Sequence, residues 1–301
     1  MAGELQGLGQ WRLLDLCAEG EFAAIYRARP GTAAATESDV ALKVVRTESL
    51  HDELDTEAFA DRSSRAVALS DTAPHPAIVR VSGHGEVDGR AWAAMELVDG
   101  LSLDRMGGKR SRGRLPVEGA VVVLRQVLAA LDAALGCVSP TSHGRLGRSH
   151  ILIDVGGAVR IIGFGSADRA HADLLAIGRL ANKIAKTWPG EMDAWIDKLT
   201  DGDDAFDTAA EALEAFPMSA FEADVLEKGQ KALARAVVRE RKKAAKAAEK
   251  ALEAEVEAPA EDADPSPGDA EPLGPGPISD PEECHSTVRQ ARGVTWACAA
   301  V

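Results

Sequence analysis

Between Val117 and Leu135 the chain runs through nineteen residues whose only strongly polar members are Glu118, Arg125, Gln126 and Asp132. Four such interruptions rule out a membrane span, while the length and the rest of the stretch fit a helix buried inside a protein. Such a helix needs other elements to cover it. The residues before it show strand patterns with turn signals, and the residues after it show helical patterns. A strand-rich half followed by a helical half specifies an α+β chain of two lobes.

The strand half reads as follows. Trp11 to Leu16 and Ala23 to Ala28 are strands around a hairpin signal at Glu19-Gly20-Glu21. Val40 to Val45 is apolar on both sides of one lysine, Lys43. A helix is expected around Phe59 to Leu69, then strands near Ile78 to Val81 and Ala91 to Leu97. Beyond the apolar helix, short strands at Ile151 to Ile153 and Val159 to Ile162 turn at Gly156-Gly157, and helices follow at Asp173 to Trp188, Met192 to Leu199 and Thr208 to Phe216. Composition then shifts twice. Residues 219–257 are rich in Ala, Glu, Lys and Arg with Gly229 as the only breaker, which gives strong helix propensity. Residues 258–301 open with a Pro, Gly, Asp and Glu tract that is read as disordered, because it cannot bury enough apolar surface to offset its ordering entropy.

Several functions are set aside by bulk properties. A formal net charge of −14 is wrong for a general nucleic-acid binder, which needs surplus Lys and Arg. The four cysteines, Cys17, Cys137, Cys284 and Cys298, form no CxxC pair and lie near no spaced histidine, so neither a zinc site nor a disulfide framework is indicated. The first residues lack a basic start followed by an apolar run, and the expectation is a reduced, cytoplasmic protein.

The strings VALKVV, HPAIVRV, AMELVDGLSL and HGRLGRSHILIDVGGAVRIIGFGSA occur in this order between Trp11 and Phe216. That order resembles the protein-kinase family of the bacterial serine/threonine type, and implies a two-lobed kinase-like fold over residues 10–216. In the resemblance, Cys17 to Ala23 stands at the glycine-rich loop. Of three glycines only Gly20 remains, so close backbone approach to phosphates is weakened. Lys43 matches the lysine that holds the α- and β-phosphates. Arg62 falls where its glutamate partner should be, a cation that would repel Lys43; Glu57 and Asp61 are the nearby alternatives. Met95, Glu96 and Val98 match the gatekeeper and hinge, and Ile25, Ala41 and Leu152 match the apolar sandwich around adenine.

The positions that carry phosphoryl transfer are replaced. Arg145 stands at the catalytic base, and a guanidinium cannot accept a proton, which forfeits roughly 10²–10⁴-fold of general-base help. His150 replaces a magnesium-ligating asparagine, and imidazole suits softer metals. Gly163-Phe164-Gly165 replaces the metal-binding aspartate motif. Asp173 follows almost at once, so the activation segment that would receive a peptide substrate is nearly absent. Asp173 itself is retained as an anchor for the catalytic-loop backbone, and Phe206 replaces a buried arginine. Asp154 reads as a turn residue and Asp168 as solvated.

The resemblance therefore implies a pseudokinase acting as a scaffold or allosteric partner of another protein, with ATP as a candidate ligand and no magnesium site. A weak or atypical ATP-dependent serine/threonine kinase and a nucleotide-sensing module are the alternatives. The basic block Arg239 to Lys243 with Lys246 and Lys250 reads as a solvated helix face, a partner helix being the sharper alternative. The last four residues, Cys298 to Val301, fit a prenylation box in form only, because no polybasic stretch directly precedes them.

Overall fold

The computed structural model describes residues 7–31, 38–46, 53–106, 114–200 and 204–257. The disordered-tail reading of 258–301 and the box at Cys298 lie outside them. The first lobe is a six-stranded antiparallel sheet of β1 (Gly7–Leu8), β2 (Trp11–Glu19), β3 (Ala23–Pro30), β4 (Val40–Val45), β5 (Val81–Val87) and β6 (Arg90–Glu96), in the order β1-β2-β3-β4-β6-β5. Helix α1 (Glu53–Thr72) packs against it. Alternation along β4 and its neighbours sends Leu42, Val44, Trp92 and Ala94 to one face, where Trp11 meets Trp92 edge-on with ring centroids 5.4 Å apart. The opposite face, with Val45 and Ala93, is closed by Phe59 of α1.

The second lobe is built on α2 (Val117–Leu135), the apolar helix of the sequence. Val123, Leu124, Val127, Leu128 and Leu131 are all buried, each contributing about 1.5–3 kcal/mol relative to exposure. Pro116, at φ −54, enters the helix, and the Gly136 N–H closes it on the Asp132 carbonyl at 2.9 Å. Around α2 stand a three-stranded sheet, β7 (Gly100–Ser102), β8 (Ile151–Asp154) and β9 (Val159–Ile161), and helices α3 (Ala170–Ile184), α4 (Gly190–Thr200) and α5 (Ala209–Glu214). Thr208 caps α5 by accepting the Glu211 N–H at 3.1 Å.

Three expectations need correction. The strand placed at Ile78 to Val81 begins at Val81 and runs to Val87; Ala77 to Val79 instead lie buried beside β9, where Ile161 N–H reaches the Ala77 carbonyl at 2.7 Å. The helix expected to reach Trp188 stops at Ile184, and Trp188 turns back to donate to the Ala181 carbonyl at 3.1 Å. The helix read from residue 219 begins at Val225.

That last helix, α6 (Val225–Glu257), lies on the second lobe. Leu233 and Val237 are fully buried in its core, and α6 crosses α2 where Gly229 meets Glu118 and Gly119 meets Leu233. Further along, Arg241 pairs with Asp99 at the junction of the lobes and reaches the Gly100 carbonyl at 3.5 Å.

Candidate functional site: a cation-lined cleft between the lobes

Strand register assembles the upper wall of the cleft. Ile25 lies opposite Lys43, Ala41 lies opposite Met95, and Ala41 and Lys43 are two apart on β4. All four therefore share one face of the sheet. Leu152 on β8 supplies the floor; Ala41 and Leu152 are buried, while Ile25, Met95 and Val98 are partly open. The Glu96 N–H is returned to the Arg80 carbonyl at 2.9 Å, and the Glu96 carboxylate pairs with Arg160. Gly20 closes the β2–β3 turn on the Ala23 carbonyl at 3.0 Å.

Lys43 projects from β4 toward two aromatic rings. Its ammonium lies 5.7 Å from the Phe22 ring centre and 5.6 Å from that of Phe59, between the hairpin turn and α1. Two ring faces give a cation about 0.5–2 kcal/mol each, less than a buried counter-ion would. Among the described residues Lys43 makes no ion pair. Burial pushes its pKa down, and Arg62 and Arg145 push it further the same way.

Arg62, one turn after Phe59 on α1, does not simply repel Lys43. Its guanidinium reaches into the second lobe, donating to the Gly163 carbonyl at 2.7 Å, to the His143 carbonyl at 3.2 Å and to Ser166 Oγ. A planar fork of donors suits three acceptors at once. Burial, then Arg145, lowers its pKa. Arg65 adds a contact to the Gly165 carbonyl at 3.4 Å. Gly165 has φ +126, and a Cβ there would lie 2.9 Å from the Arg62 carbonyl carbon, so only glycine lets this loop approach α1. Glu57 is exposed and Asp61 pairs with Arg65 at 3.5 Å, so neither takes the missing glutamate's place.

The loop beneath is held from behind. Asp173 on α3 accepts the His143 N–H at 2.7 Å and the Gly144 N–H at 2.8 Å, the anchoring role expected of it. Fully buried His143 donates from Nε2 to the Ile162 carbonyl at 2.9 Å and accepts the Arg145 N–H on Nδ1 at 3.2 Å. Burial, with His150 beside it, drives its pKa down to about 3, so the ring is neutral. His150 is also shifted down, by burial and then by Lys43, Arg62 and Arg145. Its Nδ1 is buried and has no hydrogen-bond partner among the described residues. Gly163 sits at φ +95 against both histidine rings. Asp154 accepts the Ala158 N–H at 2.8 Å in its turn, and Asp168 is exposed.

Where phosphoryl transfer needs two carboxylates and a magnesium ion, the cleft thus presents Lys43, Arg62, Arg145 and His150. Magnesium requires hard oxygen ligands in octahedral array; a missing side chain at Gly163 and an imidazole at His150 do not fit it. Lys43, Arg145, His150 and Gly163 lie around one cleft. The aromatic cage of Phe22 and Phe59 and the acceptors of Arg62 were not foreseen from the residues alone.

No family model matches the chain. The serine/threonine-protein kinase PknE of Mycobacterium bovis is 30% identical over 176 residues, covering 58% of this chain and 29% of that protein. The kinase PknD of Mycobacterium tuberculosis is 28% identical over 165 residues, 55% of this chain and 23% of that protein. This chain spans less than a third of either relative's length. The crystal structure of the Mycobacterium tuberculosis PknI kinase domain superposes with a TM-score of 0.56 at 19% identity, covering 71% of this chain and 97% of that domain.

Proposed function

We propose that this chain, whose fold is that of a kinase domain, belongs to the protein-kinase superfamily as a pseudokinase that acts as a scaffold or allosteric partner of another protein. The observation that carries the reading is the substitution of cations for carboxylates throughout the cleft. Arg145 and His150 face Lys43 and Arg62 with no metal-binding aspartate between them. Three parts of the chemistry are missing together: the base, the metal ligands and the platform for a peptide, because only Ser166 to Arg169 separate Gly165 from α3. Arg62 ties α1 to the second lobe through the Gly163 and His143 carbonyls and Ser166 Oγ. A two-lobed surface is what a scaffold offers. The test is ATP turnover with magnesium, measured as ADP released. Wild type and Lys43→Ala should be equal at background, and a rate in wild type that Lys43→Ala removes would defeat the proposal.

A nucleotide-sensing role is the second reading, supported by Lys43 making no ion pair among the described residues beside the apolar Ile25, Ala41 and Met95 on the same sheet face. An oligophosphate would supply the negative charge that the cleft lacks, provided Phe22 swings clear of Lys43. Thermal shift with ATP separates the two readings. A hundredfold excess over Kd stabilises by about 2.7 kcal/mol, and on this reading the shift is as large without magnesium as with it. No shift leaves the scaffold alone.

A further inference from the structure

The basic block of α6 plays no part in the cleft. The buried face of the helix is made by Val225, Leu233, Ala236 and Val237. From Lys242 to Ala251 every side chain is exposed except the half-buried Ala244. Arg235, Arg239, Lys242 and Lys246 follow one another at spacings of four, three and four, which puts them on one face. They border a shallow groove floored by Val238, 44% exposed. Arg239 shares Glu240 with Lys243. Arg235, Lys242 and Lys246 make no ion pair among the described residues. Like charges at these spacings destabilise a helix, and among the described residues Glu240 at Arg239 is the one anion paired with this stripe.

We propose that the acidic run Glu261–Glu283 of the same chain folds back along this stripe. Residues 258–288 carry eight Asp and Glu and no Lys or Arg, whereas residues 235–250 carry seven Lys and Arg against two Glu, a net of +5 facing −8. The reach is sufficient. From Glu257 back to Arg235 is 22 helical rises, about 33 Å, while the 26 residues 258–283 can span more than twice that when extended. Tethering gives the run a millimolar effective concentration at the stripe. The tail thereby acts as an internal competitor: an acidic partner segment reaches α6 only by displacing it. The inference is independent of what the cleft does.

Zero-length carbodiimide cross-linking of the full chain at low salt, with peptide mapping of the monomer, tests it. Lys242 and Lys246 should link to carboxylates within 261–283, and the links should vanish at about 1 M salt, where the Debye length is about 3 Å. The combined Arg235→Glu and Arg239→Glu variant, which keeps both reacting lysines, should sharply reduce the links while keeping the Lys231–Glu227 pair as a marker of the folded helix. Links found only between copies, or no more often here than at Lys183, Lys186 and Lys198, overturn the proposal. In a second arm, full-length chain with the eight acids changed to amides should bind a labelled polyglutamate peptide about tenfold more tightly than the unaltered chain. Equal affinity would sink the idea.

Discussion

Replacing Gly229 by alanine sets two known effects against each other. In a free helix the change is favourable by about 1 kcal/mol, because glycine has more backbone freedom to lose. At the crossing of α6 with α2 the added methyl would lie 2.6 Å from Val122 Cγ2 and 2.7 Å from the Glu118 carbonyl carbon, and closer still to its oxygen. Overpacking costs about 1–3 kcal/mol, and the upper end applies when the obstacle is helix backbone that cannot rotate away. The net expectation is a loss of about 2 kcal/mol, which lowers Tm by roughly 4–8 °C in a unit of this size. Thermal melts of wild type and Gly229→Ala measure it, with Gly190→Ala as control, since a Cβ at Gly190 meets nothing within 4 Å. Hydrogen exchange along α6 should rise in Gly229→Ala and not in the control. A variant that melts at or above wild type would refute the reasoning, because the propensity gain could then dominate only if α6 were not docked.

Arg62→Ala should cost about 2 kcal/mol, the range for losing charged hydrogen bonds to groups left part-buried, and should raise protease sensitivity at residues 163–169 where α1 lets go. Lys43→Met should stabilise by about 1 kcal/mol in chemical unfolding, because it removes a desolvated cation that has no counter-ion. His143 makes stability fall with acid. Its folded pKa of about 3 lies below the ordinary 6.5, so the unfolded chain takes up the proton first and the neutral ring's contribution is lost as pH drops below 6.5. Between pH 7.5 and 5 the loss from this residue is about 2 kcal/mol, and the difference in unfolding free energy between wild type and His143→Asn should shrink by that amount.

Much of the cleft was legible because its residues sit in strings whose type is set locally. Val40 to Val45 forms the expected strand to the residue, and Lys43 stands alone on it. Asp173 was identifiable as an anchor because the helix that carries it follows the loop it holds. The strand at Val81–Val87 was misplaced because its sequence, VSGHGEV, carries two glycines and few apolar residues, while the more apolar Ala77 to Val79 is core without being strand. The partners of Arg62 were invisible for another reason. Two of them are backbone carbonyls 81 and 101 residues away, and a carbonyl leaves no signature in sequence. Gly229 read as a helix breaker, yet its meaning is close approach to Glu118, and the position of α2 had to be known first.

A kinase-fold cleft that presents Lys43, Arg62, Arg145 and His150 is proposed to transfer no phosphate. Intact-mass measurement of the purified chain after prolonged incubation with ATP and magnesium tests it most directly. No phosphate is expected on the chain beyond that seen with Lys43→Ala. Stoichiometric, magnesium-dependent phosphate on the wild-type chain, absent from Lys43→Ala, would contradict it.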